Sequence, residues 1–343
     1  MAARIEFSCL ATGIGSMPHI DPAEAYSVIM KYLPALPHWA QLPKRSPKEI
    51  MYLQFSEGFP GTVVEEDKIY VDRSPNFDQA LEQLYTDYLD NNAERYAISA
   101  EYAAGLHAFL TIKPPGATMV KGQITGPISW GLSVTDRERR AVLYDDVLSD
   151  IIAKFLKLKA MWQEKGLRRL GVETIIFVDE PYLASLGSAF VAVTNEQVTT
   201  LLEEVFSGIS GLKGVHCCGG ADWSLLLGTT TDILSFDAYN YGESLSLYPA
   251  EVKSFLKRGG TIAWGIVPNH EEALAKESVA SLRDRLEETM VLFARNGISF
   301  RQLIRQGLLT PSCGLGLLSP EAAIQALELL SELSEQIRKK YVT

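Results

Sequence analysis

No stretch of the sequence approaches the roughly 18 consecutive apolar residues that a membrane-spanning helix needs. Residues 1–10 also lack the basic region and apolar run of a secretory leader. A cytoplasmic chain without a membrane partner is therefore expected. A basic excess is missing too, since 32 Lys and Arg stand against 42 Asp and Glu, a formal net charge of −10. Binding a phosphate backbone takes a concentrated basic face, and the short cluster at residues 137–140 is interrupted and flanked by acids, so no nucleic-acid partner is expected. Cysteine is scarce: four in 343 residues, two of them adjacent at Cys217 and Cys218. That is no disulfide framework and suits a reducing compartment, which leaves thiol or metal chemistry, or none, for these residues. The Gly-x-Gly-x-x-Gly phosphate turn of a dinucleotide fold is absent, as is any low-complexity tract or Pro/Ser-rich linker.

What is present is a core-forming composition, 47% hydrophobic and 22% charged. Short apolar or β-branched runs alternate with segments of helical period, the pattern of repeated βα units around a parallel sheet. Eight strands are predicted, at 9–14, 50–55, 118–123, 174–178, 214–218, 233–237, 261–266 and 307–312. The expected fold class is α/β, a single (β/α)8 barrel over residues 1–343, with long insertions after strands 1 and 2 at 15–49 and 56–117. Ser319 and Pro320 predict the start of a last helix, whose stripe Ile324, Leu327, Leu330, Leu333 and Ile337 packs on the barrel.

In such a barrel the C-terminal ends of strands converge on the functional face. Those ends carry Gly15 and Ser16, Glu57, Thr125, Asp179 and Glu180, His216 and Cys218, Asp237, His270 just beyond strand seven, and Cys313. An extended strand turns residues i and i+2 the same way, so His216 and Cys218 can share a ligand while Cys217 faces away. Imidazole with thiolate is a zinc-type pair; the alternative is a packed histidine beside a buried thiol. Cys313, ending the last strand in Thr-Pro-Ser-Cys-Gly-Leu-Gly, adds a third candidate, against its reading as a small core residue. Of the adjacent pair Asp179 and Glu180, one carboxylate is expected to enter the mouth and the other to point toward a neighbouring strand, with a buried ion pair as the alternative. Asp237 is equally suited to ligating a metal or capping the segment after it.

Together these motifs resemble the catalytic domain of cobalamin-independent methionine synthase, within the superfamily that includes methylcobalamin:coenzyme M methyltransferases and uroporphyrinogen decarboxylase. The resemblance rests on Ile14-Gly15-Ser16, Lys121-Gly122-Gln123-Ile124-Thr125-Gly126-Pro127, Val178-Asp179-Glu180-Pro181, His216-x-Cys218 and Ser312-Cys313-Gly314-Leu315, in the family's order. It implies a zinc-dependent thiol methyltransferase with His216, Cys218, Cys313 and a carboxylate at Asp237 as metal ligands, Asp237 standing where methionine synthases have Glu. It further implies Ile14, Gly15 and Ser16 touching a homocysteine acceptor, Glu57 and Asp179 holding its ammonium, and His270 donating a proton. Pro268 stands where those enzymes have Asp, and the chain is too short for their second, N-terminal barrel. The implied donor is thus methylcobalamin, with a corrinoid protein as partner, or a methylfolate; coenzyme M is an alternative acceptor. Porphyrin decarboxylation fits poorly, because Arg4 alone does not supply the arginines that branch uses. Two other classes remain open: a zinc hydrolase with Asp179 or Glu180 as base, and a non-catalytic corrinoid-partner module.

Overall fold

The computed structural model describes residues 5–65, 68–73, 75–112, 114–188 and 191–342; Arg4 lies outside them. Its centre is a parallel sheet of seven strands in the order β1 (Leu10–Ala11), β10 (Gly307–Pro311), β9 (Thr261–Val267), β8 (Ile233–Phe236), β7 (Leu212–Cys217), β6 (Glu173–Asp179) and β4 (Met119–Thr125). All pairings are parallel, and helices cover the outer face, which gives the α/β class with a curled parallel sheet. Among the described residues no helix is long and apolar enough to cross a membrane.

Residues 36–42 bond to both edges of this sheet. His38 makes a parallel bridge to Lys121 on β4, and Gln41 makes one to Ser16 beyond β1. Around them Trp39 N–H donates to Lys121 C=O at 3.2 Å, and Gln41 N–H to Gly15 C=O at 3.1 Å. This stretch is the sheet's irregular eighth member. The expectation of a strand at 50–55 is corrected: Met51–Gln54 is a helix, led in by a 3-10 turn at Pro47–Glu49 whose cap is Ser46. A serine followed by proline is a helix-start signal, and it outweighs the apolar run behind it. The first of the two long stretches therefore holds an ordinary helix, Pro22–Tyr32, and then the strand-like 36–42. The longer excursion follows, containing β2 (Thr62–Glu65), which pairs with β3 (Lys68–Val71) in an antiparallel hairpin. A short strand β5 (Thr135–Asp136) joins β3 in parallel. The same excursion also contains helices Phe77–Leu89 and Ala104–Thr111.

The two-residue period of each strand sorts its side chains. On β6, Ile175 and Phe177 belong to a small interior cluster with Leu36, Ile233, Ala263 and Leu308. Ile176 and Val178 belong to the large cluster shared with the helices. The last helix, Pro320–Tyr341, buries Leu327, Leu330, Leu333 and Ile337 as expected. Higher along the strands the inward positions turn polar: Gln123 and Thr125 on β4, Asp179 at the end of β6, His216 on β7 and Ser235 on β8. The polar end is the C-terminal one.

Closure by residues 36–42 depends on close approach from outside. At Gly105, in the helix Ala104–Thr111, a Cβ would sit 1.8 Å from the Ala40 carbonyl oxygen. The substitution Gly105→Ala is therefore expected to lower unfolding free energy by about 1–3 kcal/mol, the usual cost of overpacking, measured by urea denaturation. A loss below about 0.5 kcal/mol, as at unconstrained surface positions, would show that this packing does not hold the eighth member in place.

Candidate metal centre

His216 sits on β7 between Asp179 of β6 and Ser235 of β8 in the parallel register. It is 2% exposed. Its Nδ1 is 3.0 Å from Ser235 Oγ, and its Nε2 is buried with no hydrogen-bond partner. Cys218 follows two residues on, facing the same way, and Cys313 comes over from the end of β10. The imidazole and the two thiol sulfurs lie within 4.8 Å of one another. Cys217 turns outward as the strand period requires: it is buried in the core shared with the helices, where desolvation pushes its thiol up to about 12.

The two inner thiols form a pair. A hydrogen bond with Cys313, reinforced by His216 and opposed by burial, pulls Cys218 down to about 4, while the same bond and burial push Cys313 well above its ordinary value. This set fits a metal on three counts. A buried imidazole nitrogen without a partner costs about 1–3 kcal/mol, which a ligand removes. The other ring nitrogen is held by Ser235, the usual way a metal-binding histidine is oriented. Finally, one nitrogen and two sulfurs at this spacing suit zinc, whose Zn–S and Zn–N distances of about 2.3 and 2.0–2.1 Å need only small side-chain rotations.

Asp179 lies beside His216 with Oδ1 buried and unpartnered. Burial pushes its carboxyl up to about 6, against the pull of His216 and Lys121. On the neighbouring strand Thr125 pairs with Asp179 in register, and its Oγ1 is also buried without a partner. Below them Lys121 is fully buried: its Nζ donates to Ile14 C=O at 2.5 Å and lies 4.4 Å from the Phe177 ring centroid. Burial brings it down to about 7. Glu180 has a different task. Its carboxylate accepts from Ile128 N–H and Ser129 N–H, at 2.9 and 2.8 Å, at the start of helix Pro127–Ser133, and a Cβ on Gly126 would stand 2.1 Å from its carboxyl carbon.

Other sequence-predicted residues are arranged as follows. Asp237 is buried and caps helix Ala238–Ser246, accepting from Asn240 N–H and from the Asn240 side chain at 2.8 and 2.7 Å; it is outside the group of three converging ligand atoms. Ser16 lies against the turn after Cys313, accepting from Leu315 N–H and Gly316 N–H. Glu57 follows a helix rather than a strand, and its carboxylate accepts from Ser99 N–H at 2.8 Å. His270 is exposed at the start of helix Glu271–Leu274. Ser235 and Lys121 were not singled out as site residues. Counting inward positions back from Asp237 finds Ser235; Lys121 gave no separate signal. A cavity of about 970 Å³ is lined among others by Tyr52, Leu53, Tyr70, Ser133 and Arg139, and the Tyr52 ring meets Tyr182 edge-on at 6.4 Å.

No protein-family model and no curated protein matches the sequence. Solved structures similar to the chain include a B12-independent methionine synthase from Shewanella sp. W3-18-1 in complex with selenomethionine, 18% identical over 80% of this chain and 72% of that one, TM-score 0.49. A methyltransferase from Methanosarcina mazei is 11% identical over 94% and 93%, TM-score 0.47. A GH113 β-mannanase from Alicyclobacillus acidocaldarius is 13% identical over 97% and 98%, TM-score 0.39.

The arrangement leads to a metal-binding prediction. Anaerobically purified protein is expected to hold close to one zinc ion per chain, lost in Cys218→Ser and kept in Cys217→Ser, by metal analysis. Ser235→Ala is expected to weaken binding roughly 10–100-fold, the usual effect of removing a histidine's orienting partner. Equal retention in the two cysteine variants would contradict the site.

Proposed function

We propose that the chain is a zinc-dependent methyltransferase that moves a methyl group to a small thiol, with homocysteine as the favoured acceptor and methionine as its product. The observation that carries this reading is the convergence of the His216 imidazole, whose Nε2 is buried and unpartnered, with the thiols of Cys218 and Cys313. A zinc ion held by such a set keeps an incoming thiol deprotonated near neutral pH, where a free thiol is mostly protonated.

The remaining work falls to the chain. His216, held by Ser235, and the two cysteines fix where the acceptor sulfur binds. Asp179 Oδ1 and Thr125 Oγ1, adjacent in register and without partners, suit the hydrogen-bond donors of an amino acid's ammonium. Lys121 beneath them offsets the buried carboxylate's charge. Holding both ends of the acceptor orients its sulfur, which is where positioning lowers a barrier. Glu57 is engaged with Ser99, which favours Asp179 as the carboxylate that meets the ammonium.

A methylcorrinoid, free or carried by a corrinoid protein, fits the donor side better than a methylfolate. Its leaving group needs no proton, and the one histidine considered for proton delivery, His270, stands exposed. Hydrolysis by an activated water is the second reading, favoured only by the raised carboxyls of Asp179 and Glu180; Glu180 is already bound to a helix N-terminus.

The test is methyl transfer by the zinc-loaded protein, offering methylcobalamin with homocysteine, then with 2-mercaptoethanesulfonate, then methyltetrahydrofolate with homocysteine. Methionine formed from methylcobalamin, abolished in Cys218→Ser and reduced at least about 100-fold in kcat/KM in Asp179→Asn, a loss of roughly 2.7 kcal/mol of transition-state stabilisation, is the expected outcome. Metal-loaded protein that transfers methyl to no thiol would discard the function.

A further inference from the structure

His216 is fixed by the sheet and Cys218 lies one residue past the end of β7, whereas Cys313 lies two residues past the end of β10 and needs other support. Before it, Ser312 N–H donates to Val267 C=O at 2.8 Å, and Ser312 Oγ lies 3.0 Å from Asn269 Oδ1. After it, the two nearest anchors are both on Ser16; farther along, Lys44 Nζ donates to Leu318 C=O at 2.6 Å. Leu315 N–H donates to Ser16 C=O at 2.9 Å, and Gly316 N–H to Ser16 Oγ at 3.2 Å. Gly314 has no left-handed backbone angle, so its φ tolerates a side chain. Space does not: a Cβ there would lie 2.2 Å from Ser16 Oγ but 3.4 Å from Ser16 Cβ.

We propose that Ser16 is a positioning residue for the metal centre: it holds the turn after Cys313 so that the thiol reaches His216 and Cys218, and Gly314 is glycine to admit the Ser16 hydroxyl. Ser16 can do this because its own segment is pinned on both sides. Ile14 C=O takes the buried Lys121 ammonium. Gly15 lies against Gln123 and Gln41 without room for a Cβ, and Met17 N–H donates to Gln41 C=O at 2.8 Å. The chain of contacts runs from β4 through the 14–16 loop to the third ligand. This inference rests on His216, Cys218 and Cys313 being the metal ligands, and it gives the Ile14-Gly15-Ser16 segment a task apart from touching the acceptor.

The test uses the full chain loaded with cobalt(II), whose thiolate-to-metal charge-transfer absorption reports how many cysteines bind. Wild type is expected to show a two-thiolate band. Gly314→Ala should lose about half of that band and bind cobalt roughly 10–100-fold more weakly, the range found when a ligand's supporting contact is removed, with far-UV circular dichroism unchanged. Adding Ser16→Ala removes the clashing oxygen together with its bond to Gly316 N–H, so the double variant should recover to the band and affinity of Ser16→Ala alone, better than Gly314→Ala and below wild type. A Gly314→Ala chain that fails to fold but is restored, with its band, by Ser16→Ala supports the same coupling. Wild-type behaviour of Gly314→Ala, or a double variant no better than Gly314→Ala, would overturn the proposal. Absence of any thiolate band in wild type would instead remove the metal reading on which it stands.

Discussion

In-register parallel pairing of β4, β6 and β7 sets Thr125, Asp179 and His216 side by side on one rung facing the interior, and the rest of the site follows from that alignment. Each presents a buried polar atom with no partner among the described residues. Unsatisfied groups of this kind cost about 1–3 kcal/mol apiece, and three together are tolerated where a ligand completes them. Below the rung the interior packs Ile175, Phe177 and Leu308 with the buried Lys121 and Gln123 of β4 beside them.

Curling of the sheet makes the third ligand possible. In the sheet order β7 and β10 are separated by β8 and β9, yet Cys313 beyond β10 comes within 4.8 Å of His216 and Cys218. An open, flat sheet would hold strand ends so separated well over about 10 Å apart at the usual strand spacing. The site thus spans the barrel mouth and is sensitive to closure at residues 36–42. That segment also supports the loop at Ile14-Gly15-Ser16, through Gln41 N–H and Gln41 C=O.

Most of the sheet was legible because seven strands are short apolar runs bounded by turn residues, the form a buried parallel strand takes. The eighth member was not: residues 36–42 contain Pro37, lie between Pro34 and Pro43, and include His38 and Gln41, so neither alternation nor an apolar run marks them. The run at 50–55 took its place in the reading, although Ser46 and Pro47 signalled a helix start. Glu57 was named as a strand end for that reason, whereas the end of the real eighth member carries Gln41. At the site, the two-residue period separated Cys217 from its neighbours in the sequence alone. It did not resolve Asp237, whose carboxylate meets the backbone and side chain of Asn240, because an aspartate three residues before an asparagine reads equally as a ligand or a cap.

The most direct measurement is zinc K-edge X-ray absorption on the protein with and without homocysteine. The account predicts two sulfur neighbours at about 2.3 Å and at least one nitrogen neighbour at about 2.0–2.1 Å in the free protein, with a third sulfur gained when homocysteine is added. An unchanged sulfur count on adding homocysteine, or a free protein whose zinc has only nitrogen and oxygen neighbours, would contradict it.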